Sequence, residues 1–470
     1  MKTEYYKKLC KFCDKILLSK KSSIFTHSVT DLHVLKEHPI LLGNYFKNIK
    51  YENKDKNNLT YKFFYYLMEL FFKNKNFKLN SFQKKGCDVI IISNLINENH
   101  IKNQNDFYFG NIEKKLNDSG LKTFTVLRNF TDKSDTELLN KLNKNKILLF
   151  KTTFFFKEIY FLYKALLEFF KVNINFDKPK IKYLSSNFLS LISFKSIISN
   201  LRLSYQINLL ASITNSKMVL ITFEGHAWER VLIKTLKNTN PTIKIGAYQF
   251  SSITKYQHSI FRKLKKNYNP DIIFVSGNIT EKKFKKKFNI HTEIIGSNKF
   301  FKIKKSRKKS KQKIFLFLPE AFYSETSYLY DFAIKCAKIY PDIKFIFKCH
   351  PMMNKFFQNN KDLKNLSISR KNLNQELRRS DFTIFRGSAS IYQAVLNGSI
   401  PIYLKDKNEM SINPLHAVLP KKNYISNPLE LTKFLNKKDL NQNKKLINFC
   451  KNFFTPLNHQ PIVKYFKKIH

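Results

Sequence analysis

The feature that most constrains the fold of this chain is a repeated alternation between short apolar runs and amphipathic segments. In the first part of the chain these runs are rich in β-branched residues and occupy residues 88–95, 122–129, 217–225, 243–249, 270–277 and 292–296. Runs that are apolar throughout are typical of strands covered on both faces, and the segments between them are long enough for the crossovers that parallel strands require. The pattern predicts an α/β fold with a doubly wound parallel sheet.

A second alternation follows the basic segment 297–313. Its runs occupy residues 313–320, 342–351, 381–388 and 399–404, with helices predicted over 326–339, 372–379 and 389–397. Two Rossmann-like doubly wound domains facing a cleft are expected, in agreement with a length of 470 residues. The predicted order is a helical N-terminal extension (1–80), a first Rossmann-like domain (81–300), a second one (301–440) and C-terminal helices (441–470).

Helical periodicity places further elements inside these domains. Apolar residues recur at three- and four-residue spacings, and they predict helices over residues 5–18, 61–72, 107–119 and 154–214.

The positive charge of the chain suggests a nucleic-acid partner, but the type of basic residue argues against one. The formal net charge is +51, yet only nine of the 85 basic residues are Arg. Specific nucleic-acid sites favour Arg because its planar guanidinium bonds two acceptors at once, so most of this charge is expected to be a solvated lysine surface. No specific nucleic-acid partner is predicted.

The charge is concentrated between residues 262 and 313, where 18 Lys and Arg residues accompany three acids. Such a stretch suits peripheral contact with anionic lipid headgroups, and a solvated linker is the alternative that stays open. The most apolar segment, residues 147–170, is interrupted by five charged residues and is not expected to span a bilayer. Without a recognisable signal peptide, a cytoplasmic location is expected, with attachment to the inner face of the plasma membrane left open.

Polar side chains that suit phosphate or proton chemistry follow three of the predicted strands. They are Lys348, His350 and Pro351 after one strand, Arg386, Gly387, Ser388 and Ser390 after another, and Glu224, Gly225 and His226 after a third. Ligands of open α/β sheets bind beyond the carboxyl ends of the strands, where helix N-termini present free N–H groups. Gly387 lets the backbone approach a ligand, and Ser388 is predicted to cap the helix that follows.

The second domain resembles a known group of transferases. Residues 348–351 have the pattern K-x-H-P and residues 387–390 the pattern G-S-x-S, and Ala394, Gly398 and Pro401 follow as A-x-x-x-G-x-x-P. This combination, over residues 217–405, resembles bacterial capsule and surface-carbohydrate GT-B transferases. Sialyl-, polysialyl- and Kdo-transferases belong to this group, and the CDP-glycerol glycerophosphotransferases are more distant relatives.

The resemblance implies roles for particular residues. His350 and Ser388, with Ser390, would bind the phosphate of a nucleotide-activated sugar, while Lys348 and Arg386 add positive charge there. Glu224 before Gly225 would be the general base. The sialyltransferase motif usually has two acids before the glycine, whereas Phe223 precedes Glu224 here, so His226 is a competing base.

The resemblance favours a CMP-sugar as the donor. A single carboxylate base together with stabilisation of the leaving group predicts an inverting displacement, and a retaining outcome stays open. The residues also predict a metal-independent reaction, in which His, Lys and a helix N-terminus replace the cation. No D-x-D motif, which binds the metal in the other glycosyltransferase fold, occurs in the chain, and Cys10 and Cys13 alone do not make a metal site. No cofactor is expected. The acceptor would be a surface polysaccharide or lipopolysaccharide, contacted by Gln249, Tyr256, Gln257 and His258, which follow a strand of the first domain.

Several alternatives stay open at this level. A glycerophosphotransferase or a UDP-sugar epimerase would use the same fold, and an epimerase also needs an acid and a histidine in its cleft. A basic protein that binds RNA or a membrane surface is the alternative without catalysis. Glu224 could simply cap the helix that starts at His226, and Ser388 could cap its own helix and do nothing more.

Overall fold

The computed structural model contains two parallel β-sheets with helices on both faces. It describes residues 3–33, 86–96, 101, 105–131, 133–142, 145–149, 153–175, 191–300, 312–351, 353, 363–407, 409–435 and 444–470. The helix predicted over 61–72 and residues 301–311 of the basic segment lie outside the described residues. Within the described ranges, none of the helices is both long and apolar enough to cross a bilayer.

The first sheet has seven parallel strands. They are β1 (Val89–Leu95), β2 (Thr123–Asn129), β3 (Lys146–Leu148), β4 (Met218–Thr222), β5 (Lys244–Gln249), β6 (Ile272–Val275) and β7 (His291–Ile294). Their order in the sheet is β3-β2-β1-β4-β5-β6-β7, so the direction of winding reverses between β1 and β4. At that junction Ile91 lies opposite Leu220 in register. This reversal is the point at which doubly wound sheets bind ligands.

The second sheet repeats the arrangement with six parallel strands. They are β8 (Ile314–Leu318), β9 (Lys344–Phe347), β10 (Leu366–Ile368), β11 (Phe382–Phe385), β12 (Ile400–Leu404) and β13 (Tyr424–Ile425). Their order is β10-β9-β8-β11-β12-β13, and the winding reverses between β8 and β11. The prediction of two Rossmann-like doubly wound domains, the GT-B arrangement, is confirmed.

Helices cover both sheets. Among the described residues, the helices before residue 300 are α1 (Thr3–Leu17), α2 (Ile24–Ser28), α3 (Ile112–Asp118), α4 (Asp135–Leu139), α5 (Phe155–Asn175), α6 (Leu191–Ile213), α7 (Ala227–Thr239) and α8 (Asn278–Lys287). Those after it are α9 (Tyr323–Ile339), α10 (Leu373–Arg379), α11 (Ile391–Leu396), α12 (Thr432–Leu435), α13 (Lys444–Lys451) and α14 (Gln460–Ile469). Because helices pack on both faces, the strands are buried on both sides, as their continuous apolar runs indicate.

The two ends of the chain pack on the first domain. Leu9 and Ile16 of α1 share a core cluster with Leu162 of α5 and Ile198 of α6. Ile462, with two further apolar residues of α14, packs into the core on one face of the first sheet. The preceding helix, α13, packs on the second sheet, so the last residues of the chain join the two domains.

Local hydrogen bonding shortens some predicted helices. The helix predicted over 107–119 begins only at Ile112, because Oδ1 of Asp106 accepts the N–H groups of Tyr108 and Phe109 and holds them in a turn. The stretch 154–214, predicted as helical, contains the separate helices α5 and α6, and residues between them lie outside the described ranges. The predicted cap at Ser388 is wrong, since the residue before α11 is Ser390.

Candidate active site

The loop after β4 carries the two candidate bases at the reversal point of the first sheet. Gly225 has a φ of +86°, a left-handed conformation that strains residues with a side chain. A Cβ at this position would also lie 2.6 Å from the backbone nitrogen of Ile260. The glycine therefore allows a tight turn between Glu224 and His226, and α7 begins directly afterwards.

A single buried carboxylate holds this loop in place. The N–H groups of Glu224, Gly225 and His226 donate to the side chain of Glu229 at distances of 3.0, 2.8 and 2.9 Å. Glu229 is fully buried, and burial raises its pKa to about 7, although His226 and the donated hydrogen bonds act in the opposite direction. The acid at the N-terminus of α7 is therefore Glu229, and the capping role left open for Glu224 belongs to this residue.

The two candidate bases form one pair. Oε2 of Glu224 lies 3.5 Å from Nε2 of His226, and the two side chains are 17% and 30% exposed. A carboxylate beside an imidazole can accept a proton itself or orient the imidazole that does. Both candidates are thus within reach of a substrate at the same position.

Residues at the carboxyl ends of β1 and β2, and Tyr108 in the loop after β1, complete this end of the first sheet. Tyr108 accepts a hydrogen bond from the Asn94 amide at 3.4 Å, and burial, with a smaller effect of Glu224, raises its pKa to about 12. The Arg128 guanidinium lies 5.0 Å from the Trp228 ring centre, and burial lowers its pKa to about 10. These residues were not predicted from the sequence, although the same rule about carboxyl ends of strands would have selected Asn94 and Arg128.

The four residues predicted to contact the acceptor divide into two groups. Gln249 is buried, and its amide donates to the carbonyl of Ser251 at 2.6 Å. Gln257 is also buried. Tyr256 and His258 are half-buried, and Nε2 of His258 lies 2.9 Å from a carboxylate oxygen of Asp14 in α1. The N-terminal extension therefore reaches the segment predicted to contact the acceptor.

At the reversal point of the second sheet, Gly387 lies against an acid that the sequence analysis did not select. A Cβ on Gly387 would lie 1.8 Å from Oε1 of Glu320, which is two residues beyond the end of β8. Ser388 and Ser390 follow and are half-buried, and the hydroxyl of Ser390 makes no capping hydrogen bond to α11. The glycine thus leaves room for the Glu320 carboxylate beside two serine hydroxyls.

Arg386 is buried between two acids. Its Nε donates to Glu325 of α9 at 2.7 Å, and Nη2 donates to Glu409, in the loop after β12, at 2.6 Å. Its guanidinium also lies 4.9 Å from the ring centre of Tyr328. The arginine therefore connects the loop after β11, which carries Ser388 and Ser390, to α9 and to the loop after β12. Its predicted contact with a phosphate stays a prediction.

The residues after β9 point to different neighbours. The Lys348 ammonium donates to the carbonyl of Ser369, beyond β10, at 3.3 Å, and burial lowers its pKa. Burial also lowers the pKa of His350 to about 4, with a further contribution from the charge of Lys299. His350 is therefore neutral at neutral pH and can act there as a hydrogen-bonding group. Pro351 is exposed at the start of the next loop.

Lys299 contacts both domains. Its ammonium lies 5.8 and 5.6 Å from the ring centres of Phe107 and Phe250, which follow β1 and β5. Its carbonyl accepts a hydrogen bond from the Gln393 side chain of α11 at 3.1 Å, and its charge acts on His350. The sequence analysis grouped Lys299 with the basic segment and gave it no role in a site.

Comparisons with known proteins give a likeness in overall architecture only. No family model and no curated protein matches the chain. Among solved structures, the UDP-GlcNAc 2-epimerase from Methanocaldococcus jannaschii is 14% identical, with 81% of this chain and 99% of that chain covered and a TM-score of 0.45. The glycotransferase of kitacinnamycin is 8% identical, with 82% and 99% covered and a TM-score of 0.49.

The glycosyltransferase SnogD from Streptomyces nogalater is also 8% identical, with 82% of this chain and 100% of that chain covered and a TM-score of 0.46. These values carry no conclusion about the chemistry of this chain.

Proposed function

We propose that this chain is a metal-independent, inverting glycosyltransferase that moves a sugar from a nucleotide-activated donor to a surface polysaccharide or lipopolysaccharide. One observation carries the proposal: the reversal points of the two sheets hold complementary groups. The first has the Glu224–His226 pair, which suits proton abstraction, and the second has the half-buried hydroxyls of Ser388 and Ser390, which suit phosphate binding.

The reaction would then proceed as a single displacement. The acceptor hydroxyl oxygen attacks the anomeric carbon of the donor and forms the new glycosidic bond. The bond between that carbon and the phosphate oxygen breaks, and its electron pair leaves with the nucleotide. The hydroxyl proton passes to Glu224 or to His226, and the new bond forms on the face opposite the departing phosphate.

Groups of the protein would stabilise the departing nucleotide in place of a metal ion. The hydroxyls of Ser388 and Ser390 and the neutral imidazole of His350 offer hydrogen bonds to the phosphate. Lys299, whose charge already acts on His350, supplies positive charge at the same position. Such prearranged groups stabilise the developing charge more in a partly buried site than they would in water.

The resemblance to sialyl- and Kdo-transferases favours a CMP-activated sugar as the donor. The same resemblance is the reason for a bacterial surface glycan as the acceptor and for a cytoplasmic location. Contact with an anionic membrane through residues 262–313 belongs to the proposal as well.

The test is turnover by the full-length chain with CMP-, UDP- and GDP-activated sugars, with and without capsular and lipopolysaccharide oligosaccharides. We expect nucleotide release that requires the oligosaccharide, that is fastest with a CMP-sugar and that is the same in EDTA as in Mg²⁺. Conversion of the nucleotide sugar without any acceptor would identify an epimerase instead. A strict requirement for a divalent metal would disprove the metal-free mechanism.

A further inference from the structure

A cavity of about 290 Å³ lies between α1 and the segment that follows β5. Helix α1 lines it with Tyr6, Lys7, Cys10 and Lys11, and the other wall consists of Lys255, Tyr256, Gln257 and His258. Small-molecule sites have volumes of roughly 300–1,000 Å³, so this cavity suits a single small unit better than an extended chain.

One buried polar side chain of the cavity wall, Gln257, and one outside the wall, Arg262, have polar atoms without hydrogen-bond partners among the described residues. Gln257 is 5% exposed, and neither its amide oxygen nor its amide nitrogen has a hydrogen-bond partner there. Arg262 is 3% exposed, and the same holds for its two terminal nitrogens. The charge of Arg262 acts on Tyr6 and Cys10 of the cavity wall, where it opposes the rise in pKa that burial causes. Buried groups of this kind are destabilising unless a ligand or water bonds them.

The charge of the cavity is positive. Lys7, Lys11 and Lys255 are exposed at its rim. The nearby acid, Asp14, is already bonded to Nε of Arg262 at 2.6 Å and to Nε2 of His258 at 2.9 Å. An anionic group such as a carboxylate or a phosphate would therefore be attracted by the three lysines, and the charge of Arg262, which acts on Tyr6 and Cys10 of the wall, adds to this attraction.

The cavity adjoins the candidate base through the next residues of the chain. The Ser259 hydroxyl donates to the Glu224 carbonyl at 3.5 Å, and Gly225 lies against the backbone of Ser259 and Ile260. We propose that this cavity binds a negatively charged sugar unit of the acceptor, either carboxylated or phosphorylated. The inference rests on the proposed function, and it adds the class of acceptor and a role for α1.

The first test is calorimetric binding of four probes to the full-length chain: glucuronic acid, glucose 6-phosphate, glucose and inorganic phosphate. We expect at least one charged sugar to bind about tenfold more tightly than both glucose and inorganic phosphate, a difference of about 1.4 kcal/mol. The sugar that does so identifies the charge as carboxylate or phosphate. Equal binding of glucose, or equal binding of inorganic phosphate, overturns the proposal.

The second test uses variants of α1 with a matched control. The double variant Lys7→Gln/Lys11→Gln should weaken charged-sugar binding about five- to tenfold, since each rim charge contributes modestly. Lys8→Gln is the control, because Lys8 is on the same helix, lies outside the cavity wall and pairs with Glu4 on the surface. An equal loss in the control overturns the assignment.

Gln257→Met gives a readout that does not depend on charge at the rim. The substitution keeps the length of the side chain and removes the unbonded amide. We expect charged-sugar binding to weaken while the melting temperature of the unliganded protein stays the same or rises. A lower melting temperature would mean that the amide is used within the protein, and that result also overturns the proposal.

Turnover of nucleotide sugars on the same preparation separates this inference from the proposed function. If the chain transfers sugar but binds neither charged probe, the cavity is wrongly assigned and the transferase reaction stands. If the chain binds a charged sugar but turns over no nucleotide sugar, the cavity is a sugar site and the proposed function fails.

Discussion

At the scale of single residues, the position of the candidate bases depends on a neighbour that is not itself exposed. Glu229 accepts three successive N–H groups, from residues 224 to 226, and so satisfies donors that the start of α7 would otherwise leave unpaired. This holds the backbone of the loop while the side chains of Glu224 and His226 stay 17% and 30% exposed. A rigid backbone with accessible side chains is what a base needs to meet a substrate hydroxyl in one geometry.

Substitution of Glu224 tests which member of the pair is the base. Glu224→Gln keeps the size of the side chain but cannot take a proton at neutral pH, so we expect kcat to fall about 10²–10⁴-fold. Donor affinity should stay nearly unchanged, because the residues proposed to bind phosphate belong to the other domain. Steady-state kinetics and a melting curve on the same preparation check both expectations.

The comparison with His226→Ala decides between the alternatives. If Glu224→Gln turns over at nearly the wild-type rate while His226→Ala is inactive, the base is His226. The assignment of Glu224 from its position before Gly225 would then be wrong. Equal losses in both variants, with no further loss in the double variant, would show that the pair works as a unit.

At the scale of elements, the positions of the strands were predictable and the partners of their terminal residues were not. The apolar runs that end near Glu224 and Gly387 are strands in the structure, so the rule about carboxyl ends selected residues at both reversal points, together with a third strand end, after β9, that is not a reversal point. Arg386 shows the limit of this approach. Its acidic partners lie 61 and 23 residues away in the chain, a distance over which no local pattern indicates pairing.

Local competition explains the other differences. The residues from 107 to 109 have apolar side chains that fit a helix, but the Asp106 carboxylate accepts the N–H groups of Tyr108 and Phe109, and the helix starts later. Glu229 looked like an ordinary polar residue of an amphipathic helix. Its role depends on the tight turn at Gly225, which brings three N–H groups over the start of the helix, and the sequence analysis did not consider that turn.

The loop after β11 allows binding and structural roles to be separated. Ser388→Ala and His350→Ala should each weaken nucleotide binding by about 1–3 kcal/mol without lowering the stability of the free protein. Arg386→Met should instead lower the free energy of unfolding by about 3–5 kcal/mol and leave nucleotide binding nearly unchanged. The reason is that Glu325 and Glu409 lose the cation that pairs with them. Urea unfolding and calorimetry with CMP and UDP measure the two effects. Unchanged stability in Arg386→Met, with lost nucleotide affinity, would support the direct phosphate contact instead.

At the scale of the whole molecule, the segment before α14 holds the two domains together. The N–H of Thr455 donates to the carbonyl of Ser276 at 2.9 Å, and that of Asn458 donates to Ile295 at 2.7 Å. These bonds attach the chain after α13, which packs on the second sheet, to the carboxyl ends of β6 and β7 in the first. Stability of one domain is therefore coupled to the other, and a change at a buried group in either should affect one common unfolding transition.

Buried histidines make that transition sensitive to acid. Burial lowers the pKa of His27 to about 3 and of His350 and His416 to about 4, and it lowers the pKa of His33 as well. An unfolded histidine has a pKa of about 6.5, so between that pH and about 4 the unfolded chain binds more protons than the folded one. The stability from these groups is complete above pH 6.5 and is lost as the pH falls towards 4.

Glu229 acts in the opposite direction over part of this range. Its folded pKa of about 7 lies above the ordinary value of 4.5, so the folded protein takes up one proton there as the pH falls from 7 to 4.5. Burial raises the pKa of Glu113 and of Glu409 as well, so three carboxyl groups oppose five histidines, the fifth being His459. The added positive charge also increases repulsion in a chain whose formal net charge is already +51. The net expectation is a loss of stability on acidification.

We therefore expect the free energy of unfolding to decrease by roughly 1–3 kcal/mol between pH 7.5 and pH 5, measured by urea titration at fixed ionic strength. His416→Asn should make this dependence shallower, since an asparagine amide can replace Nδ1 of the imidazole, 3.1 Å from the Asn413 carbonyl, without titrating. His291→Asn is the matched control for the loss of a histidine as such, because that side chain is 61% exposed and is not one of the buried groups. A free energy of unfolding that rises on acidification in the wild type would contradict this expectation. It would mean that protonation of Glu229 and the other two carboxyl groups has a larger effect than protonation of the histidines, and that the histidines are not kept buried in solution.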